Sequence, residues 1–213
     1  PSPDEVYTEA CGGDRQKGLG LHQRDLNIIN AVAPVNKNTI VALVGGSMIM
    51  VNDWKDKVSS ILMTYYAGME GGTALAEIIF GDVNPSGKLP FVVPEKESDL
   101  PSLDWNATDV HYDYYHGYTK LDKEDIKPQF PFGFGLSYTT FEISAAKAWS
   151  DGKKLYACAD VKNTGDMEGA QVLQMYIGTP KGKIERPEKA LKGFEKVVLQ
   201  MGEKRTVIVS CPL

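Results

Sequence analysis

The stretch Gly68–Pro94, GMEGGTALAEIIFGDVNPSGKLPFVVP, decides how the first half of this chain folds. It opens on a glycine-rich corner and runs into a short apolar segment. Ala74, Leu75, Ile78 and Ile79 recur at helical spacing, and Thr73 stands where an N-cap is expected. Gly81 is placed to end the helix, because a glycine takes the left-handed conformation there without steric cost. Asn84-Pro85-Ser86-Gly87 has the composition of a tight turn. Lys88 and Leu89 then lead into Phe91-Val92-Val93, a short strand closed by Pro94. A helix followed so closely by a buried strand is an α/β unit.

Upstream, Leu26, Ile29, Val32 and Ala33 give one apolar helical face between Gln23 and Ala33, with Ile28 at its edge and Pro34 as the stop. Thr39 to Val44 (TIVALV) and Ile61 to Tyr66 are largely apolar runs of strand length. Such runs suit parallel strands buried on both faces. Strand, loop, strand, corner, helix, turn and strand make a fragment of an open, mostly parallel α/β sheet. Residues 1–20 are glycine-rich and poor in apolar residues, as in an exposed loop.

Downstream, Glu95 to Pro128 turns polar and aromatic, with Tyr112, Tyr114, Tyr115 and Tyr118 holding down a long connection. Phe130 to Phe141 (FPFGFGLSYTTF) is an aromatic and glycine plug suited to packing. Beyond it the period becomes two. Leu155, Ala157, Ala159 and Val161 alternate, and Asn163-Thr164-Gly165 marks a turn. Val172–Ile177, the run to Val197-Val198-Leu199, and the pair Val207 and Val209 complete about five strands, where a sandwich of this class has about seven. The domain plan is therefore residues 1–95, the end of an α/β sandwich domain, then a connection over 96–130. An all-β sandwich follows over 131–213, incomplete by this count.

The Gly68–Pro94 block and the Phe130–Phe141 block together resemble glycoside hydrolase family 3, the β-glucosidase and exo-glucanase family. The resemblance extends over nearly the whole chain. It implies an α/β sandwich fragment followed by a fibronectin type III-like sandwich. Glycoside cleavage uses two carboxyl groups on opposite sides of the scissile bond, one of them protonated to donate to the leaving oxygen. In the family, the attacking aspartate lies on an N-terminal β/α barrel, and the acid/base glutamate lies on a loop of the second domain. In exo-glucanase members that loop has Tyr, a small residue and Glu, followed by a Gly-Asp pair. Tyr7-Thr8-Glu9 and Gly13-Asp14 match it, so the resemblance implies Glu9 as general acid/base. It also implies Asp14 and Arg15 as residues that shape the loop or touch sugar. Aligning instead on Gly12-Gly13-Asp14-Arg15 puts Cys11 in the acid position, and a thiol cannot do that work; Glu5 is the fallback.

A β/α barrel needs about 250 residues, more than the 213 here, and no stretch shows eight strand–helix repeats. The expectation is thus a piece of a larger exo-acting retaining hydrolase that is inactive alone, with a β-linked oligosaccharide or glucoside as substrate. The barrel, on another chain or a removed N-terminal part, is its partner. Two alternatives stand beside it: a non-catalytic carbohydrate-binding or scaffolding piece, and a β-xylosidase or arabinosidase of the same family.

Other chemistries fit poorly. A net charge of −5 and a pI near 5.3 argue against nucleic acid and anionic membrane as partners. No apolar run approaches the roughly 20 residues of a membrane span. Cys11, Cys158 and Cys211 are too scattered for a disulfide framework or zinc site, and His22, His111 and His116 show no metal-ligand spacing. No cofactor is implied. Gly81 to Lys88 has one residue too many between its glycines for a phosphate loop, and Ser47 lacks the second glycine of a nucleophile elbow. Asn106-Ala107-Thr108 is a glycosylation sequon by pattern. The start has no basic head or apolar middle and so does not resemble a signal peptide. Localisation stays open, with a secreted or periplasmic setting favoured.

Overall fold

The computed structural model describes residues 18–102, 108, 109, 111, 113–178 and 182–213. Helix α1 spans Gln23–Val32 and turns its Ile29 side, with Ala33 just beyond, into the core; Leu26 packs beside them. Val32 lies off that stripe and is 41% exposed, contrary to its expected place on the buried face. Strand β1 (Ile40–Leu43) pairs in parallel with β2 (Ser60–Met63), Ile40 opposite Ser60 and Leu43 opposite Met63. Val41, Leu43, Ile61 and Met63 join Ile29, Ile49, Val51, Trp54 and Val93 in one apolar cluster. The opposite face of β1 is different. Ile40, Ala42 and Val44 are exposed, so the run expected to be buried on both faces is covered on one only.

Helix α2 spans Gly71–Phe80. It begins two residues before Thr73, whose hydroxyl donates to Glu70 Oε2 (3.3 Å) and does not cap the helix. The helix has no buried residue, and Phe80 is 81% exposed. Gly81 ends it in the left-handed conformation, φ 85°, as its sequence position requires. Phe91–Val93 forms no strand. Instead, residues 89–93 run against 130–134 through isolated backbone bonds. Val93 exchanges two with Phe130 (2.9 and 3.1 Å), and Leu89 exchanges two with Gly133 and Phe134 (both 2.8 Å). Proline at position 90 lacks the N–H that a continuous ladder would need.

A third helix, α3 (Gly117–Lys123), lies within the segment that sequence patterning leaves as a connection. Leu121 is its buried anchor, and the Tyr118 ring contacts both Phe132 (4.9 Å between centroids) and Tyr176 (6.2 Å). Phe130 and Phe134 stack at 5.1 Å, so the aromatic plug packs on itself as well as on its neighbours.

Among the described residues, the second half holds five antiparallel strands in sheets of three and two. They are β3 (Phe141–Ser150), β4 (Lys154–Asn163), β5 (Gly169–Ile177), β6 (Ala190–Leu199) and β7 (Lys204–Pro212), ordered β3-β4-β7 and β5-β6. Strand β3 has no counterpart in the sequence reading, because its alternation is weak. A register shift between Ser144 and Lys147, with Ala145 at φ 52°, breaks the period. Val161, Val197, Leu199 and Val207 fill the space between the sheets. Asn163 is fully buried among them. Its amide nitrogen donates to the carbonyls of Met167 (2.8 Å) and Leu199 (3.0 Å). Its oxygen accepts from the Thr139 hydroxyl (2.7 Å) and the Gly165 N–H (3.1 Å). A buried polar side chain is tolerated only when satisfied in this way.

The two halves meet at the Asn84 turn. The Asn84 side-chain oxygen accepts from the Ser137 hydroxyl and the Tyr138 N–H (both 2.9 Å), and its nitrogen donates to the Glu168 carbonyl (3.0 Å). Lys88 Nζ donates to the Gly135 carbonyl (2.6 Å), and the Tyr138 hydroxyl to the Ile78 carbonyl (2.8 Å). Gly135 must be glycine here, because a Cβ would stand 2.1 Å from the Gly87 carbonyl oxygen.

The N-terminal edge of the described chain is also pinned. The Leu19 N–H donates to Glu97 Oε2 (3.1 Å), and the Leu19 carbonyl accepts from the Met50 N–H (2.8 Å). Glu97 sits in a 3-10 turn, Glu97–Asp99, distant in sequence from everything it holds.

Two outcomes follow from these anchors. Asn163→Ala removes the side-chain partner of two carbonyls, a hydroxyl and an N–H in the sandwich core, and it lowers unfolding free energy in urea by about 3 kcal/mol. Glu97→Ala speeds amide exchange at Leu19 by about tenfold, the protection of one charge-assisted bond, whereas Glu97→Gln, which keeps an acceptor, changes it less. Unchanged exchange in Glu97→Ala would show that the anchor holds nothing.

Candidate functional site

Glu9, Asp14 and Arg15 lie outside the described residues, as do Glu5, Tyr7, Thr8, Cys11 and Gly13. The described chain begins just after that segment. The chain leaving it arrives at Gly18 (φ 105°) and Leu19, held between Glu97 and Met50. Leu21 then packs against the first core. Met50 belongs to the connection that leaves the C-terminal end of β1, the same connection that carries Gly45, Gly46 and Ser47.

In an open parallel sheet, ligands bind beyond the carboxyl ends of the strands. Here the two ends are joined by Thr64, whose N–H (2.9 Å) and hydroxyl (2.8 Å) both donate to the Leu43 carbonyl. Immediately after, Tyr65 takes φ 52°, a conformation that a bulky side chain rarely adopts. The turn sends its ring inward to an edge contact with Phe91 (6.2 Å between centroids). Burial raises the Tyr65 hydroxyl above the usual tyrosine range, and that oxygen has no hydrogen-bond partner among the described residues. The next residue, Tyr66, is thrown outward and is 75% exposed beside Gly46. Asn52 Oδ1 and the Trp54 indole N–H, on the connection from β1, are likewise buried without partners among the described residues.

Ser47 is exposed, as are His22, His111 and His116. His22 and His116 stand at the N-terminal ends of α1 and α3. Among the described residues, no group of three or more His, Cys, Asp or Glu is placed to hold a metal, and no helix is long and apolar enough to cross a membrane. Among the described residues, Cys158 and Cys211 are unpaired thiols. Of the tryptophans, Trp54 is 2% exposed in the first core, and Trp105 lies outside the described residues. Trp149 is stacked face to face on Tyr156 (5.3 Å, 6° between planes) across β3 and β4. Trp54 and Trp149 therefore form no shared exposed row.

Sequence reasoning did not single out Glu97 or the Tyr65-Tyr66 corner. Glu97 sits in a run of charged residues with no periodic signal. The tyrosine pair borders a recognisable glycine corner, which was the available clue.

The architecture now has a counterpart among known proteins. Residues 4–138 match the family model for the glycosyl hydrolase family 3 C-terminal domain, and residues 171–213 match that for a fibronectin type III-like domain. The chain is 42% identical over 214 residues to thermostable beta-glucosidase B of Acetivibrio thermocellus, covering 96% of this chain and 28% of that protein. It is 38% identical to an exo-alpha-(1->6)-L-arabinopyranosidase of Bifidobacterium longum, covering 97% of this chain and 28% of the relative. Among solved structures, beta-glucosidase 3B from Thermotoga neapolitana in complex with glucose superposes with a TM-score of 0.85 at 36% identity, over 93% of this chain and 30% of that one. The family 3 beta-glucosidase of Bifidobacterium adolescentis gives 0.86 at 36% identity, over 94% and 31%. The chain thus spans between a quarter and a third of the length of these relatives. The two family models follow one another along the chain as the α/β half and the sandwich do, and the chain belongs to glycosyl hydrolase family 3.

Proposed function

We propose that this chain supplies the general acid/base of a β-glucosidase-like, exo-acting, retaining hydrolase, and that the attacking carboxylate resides on a β/α barrel outside these 213 residues. The observation that carries the proposal is the loop Tyr7-Thr8-Glu9 with Gly13-Asp14, inside the segment matched by the family. In this reading Glu9 protonates the departing oxygen and then deprotonates the attacking water, the dual role that retention demands. Asp14 and Arg15 shape the loop or contact the sugar. The substrate is a β-linked oligosaccharide or glucoside.

The exposed apolar surface of the first half supports a companion unit. Ile40 and Val44 on the open side of β1, and Phe80 on α2, are large apolar side chains left in water. Patches of this kind on a water-soluble surface mark places where protein packs. The companion proposed is the rest of the α/β domain with its barrel. A second reading keeps the chemistry and changes the sugar, favoured by the relative described as an arabinopyranosidase. The carbohydrate-binding reading has less behind it, since Trp54 is buried and Trp149 is spent on Tyr156.

The purified chain alone is expected to be silent on an aryl β-glucoside, because one carboxylate of a pair cannot complete the displacement; Glu9-dependent turnover by it would remove the need for a barrel. In the complete hydrolase, Glu9→Gln lowers kcat by about 10²- to 10⁴-fold for poor leaving groups, the scale of general acid catalysis, and far less for activated ones. Equal losses on both substrate types would refute the acid assignment.

A further inference from the structure

We infer that the pocket enclosed by α3, the aromatic plug and β5 binds a neutral monosaccharide, held by Asp122 and Tyr176 against a wall of three rings. The inference goes beyond the acid/base reading and needs nothing from Glu9. It concerns a seat for one sugar ring, not an exposed aromatic row that grips a polymer.

The space arises from how the rings meet. Tyr118 packs on Phe132 at 4.9 Å between centroids, tilted by 35°, but meets Tyr176 edge to face at 6.2 Å and 90°. Rings set at right angles leave a corner that neither fills. Val92 and Leu121, both buried, close it from the α/β half and from α3. The result is a pocket of about 120 Å³, where a single water needs roughly 10–15 Å³. It is large enough for several waters or one small ring.

The polar groups of the pocket are only partly used by the protein. Lys189 Nζ stands 2.9 Å from both Asp122 oxygens, but its hydrogen bond goes to Oδ1. Asp122 Oδ2, although buried, has no hydrogen-bond donor among the described residues. A buried acceptor in that state calls for a donor. The Tyr176 hydroxyl gives its proton to Gln174 Oε1 (2.7 Å), and its oxygen can still accept. The Tyr118 oxygen accepts from the Leu191 N–H (2.9 Å) and can still donate its own proton. Burial, followed by nearby Tyr118 and Asp122, raises the Tyr176 hydroxyl above the ordinary tyrosine range, in keeping with three polar groups gathered in one place.

The chemistry of this lining selects the ligand. Asp122 and Lys189 cancel in charge, so neither an anion nor a cation gains from the pocket as a whole. An apolar molecule would leave Asp122 Oδ2 without a donor. A pyranose meets both conditions, being neutral, with hydroxyls along its edge and C–H bonds on its faces. Its hydroxyls reach the carboxylate and phenol oxygens while its faces lie on the aromatic wall.

The test is an amide NMR titration of the 213-residue chain with methyl β-D-glucopyranoside as the probe. Shifts centred on Leu121, Asp122, Phe132 and Leu191 saturate with a Kd in the millimolar range, the scale for a ligand of this size. Tyr176→Phe and Asp122→Asn each weaken binding by about threefold to tenfold, the worth of one hydrogen bond. Cyclohexanol, glucuronate and protonated glucosamine all bind more weakly than the glucoside. Undisturbed amides at Val161 and Leu199, in the sandwich core, verify that each variant is folded. Shifts that do not saturate mean that water alone fills the pocket, and they overturn the proposal. So does affinity that neither variant lowers, or equal affinity for cyclohexanol or for either charged analogue. Binding is read here without turnover, so this inference and the Glu9 assignment can each fail without the other.

Discussion

Asn84 uses both ends of one amide to join two kinds of architecture. Its oxygen takes the Ser137 hydroxyl and the Tyr138 N–H, while its nitrogen gives to the Glu168 carbonyl at the mouth of β5. No hydrophobic contact could do the same, because an apolar side chain would leave these three partners unpaired at a half-buried site. Around it, Lys88 reaches the Gly135 carbonyl and Tyr138 reaches Ile78, so the turn after α2 and the entry to the sandwich are fastened at several points. Burial at the joint pulls the Lys88 ammonium below its ordinary range.

That joint constrains everything on either side. The sandwich is oriented by its first residues, since Thr139 also reaches Asn163 in the centre of the second core. The α/β half is oriented by α2, whose C-terminal end feeds the turn. A second set of ties lies on the other side, where the Tyr118 hydroxyl accepts the Leu191 N–H and Lys189 pairs with Asp122. These are rim interactions of modest individual worth. Their role is geometric: with the Asn84 joint they fix the two halves at two separated places, which a single contact would not do.

The C-terminal ends of β1 and β2, the tyrosine corner and the anchored Leu19 lie in the α/β half, whereas the sandwich carries a satisfied core and a stacked aromatic pair. One side of the sheet presents Ile40 and Val44 to water, while the other packs on the first core.

Local pattern alone was enough for several features. Gly81 stops a helix because only a residue without Cβ takes φ 85° freely, and Leu155 to Val161 alternate because a pleated strand shows every second residue to the core. The family blocks were legible for the same reason, being dense in glycine and proline whose roles are local. Other features depended on distant partners and had no local signal. Thr73 looked like a cap but lies inside the helix, where Glu70 meets its hydroxyl. Phe91–Val93 had strand composition, yet its pairing was decided by residues 130–134. Strand β3 hid behind a bulge, and Glu97 became an anchor only through a neighbour 78 positions away. The sequence by itself determined the class of each half, since that is written in short-range periodicity and motif. Tertiary structure decided which face of β1 stays bare, which tyrosine points outward and what Asn84 holds, because these depend on where remote segments come to lie.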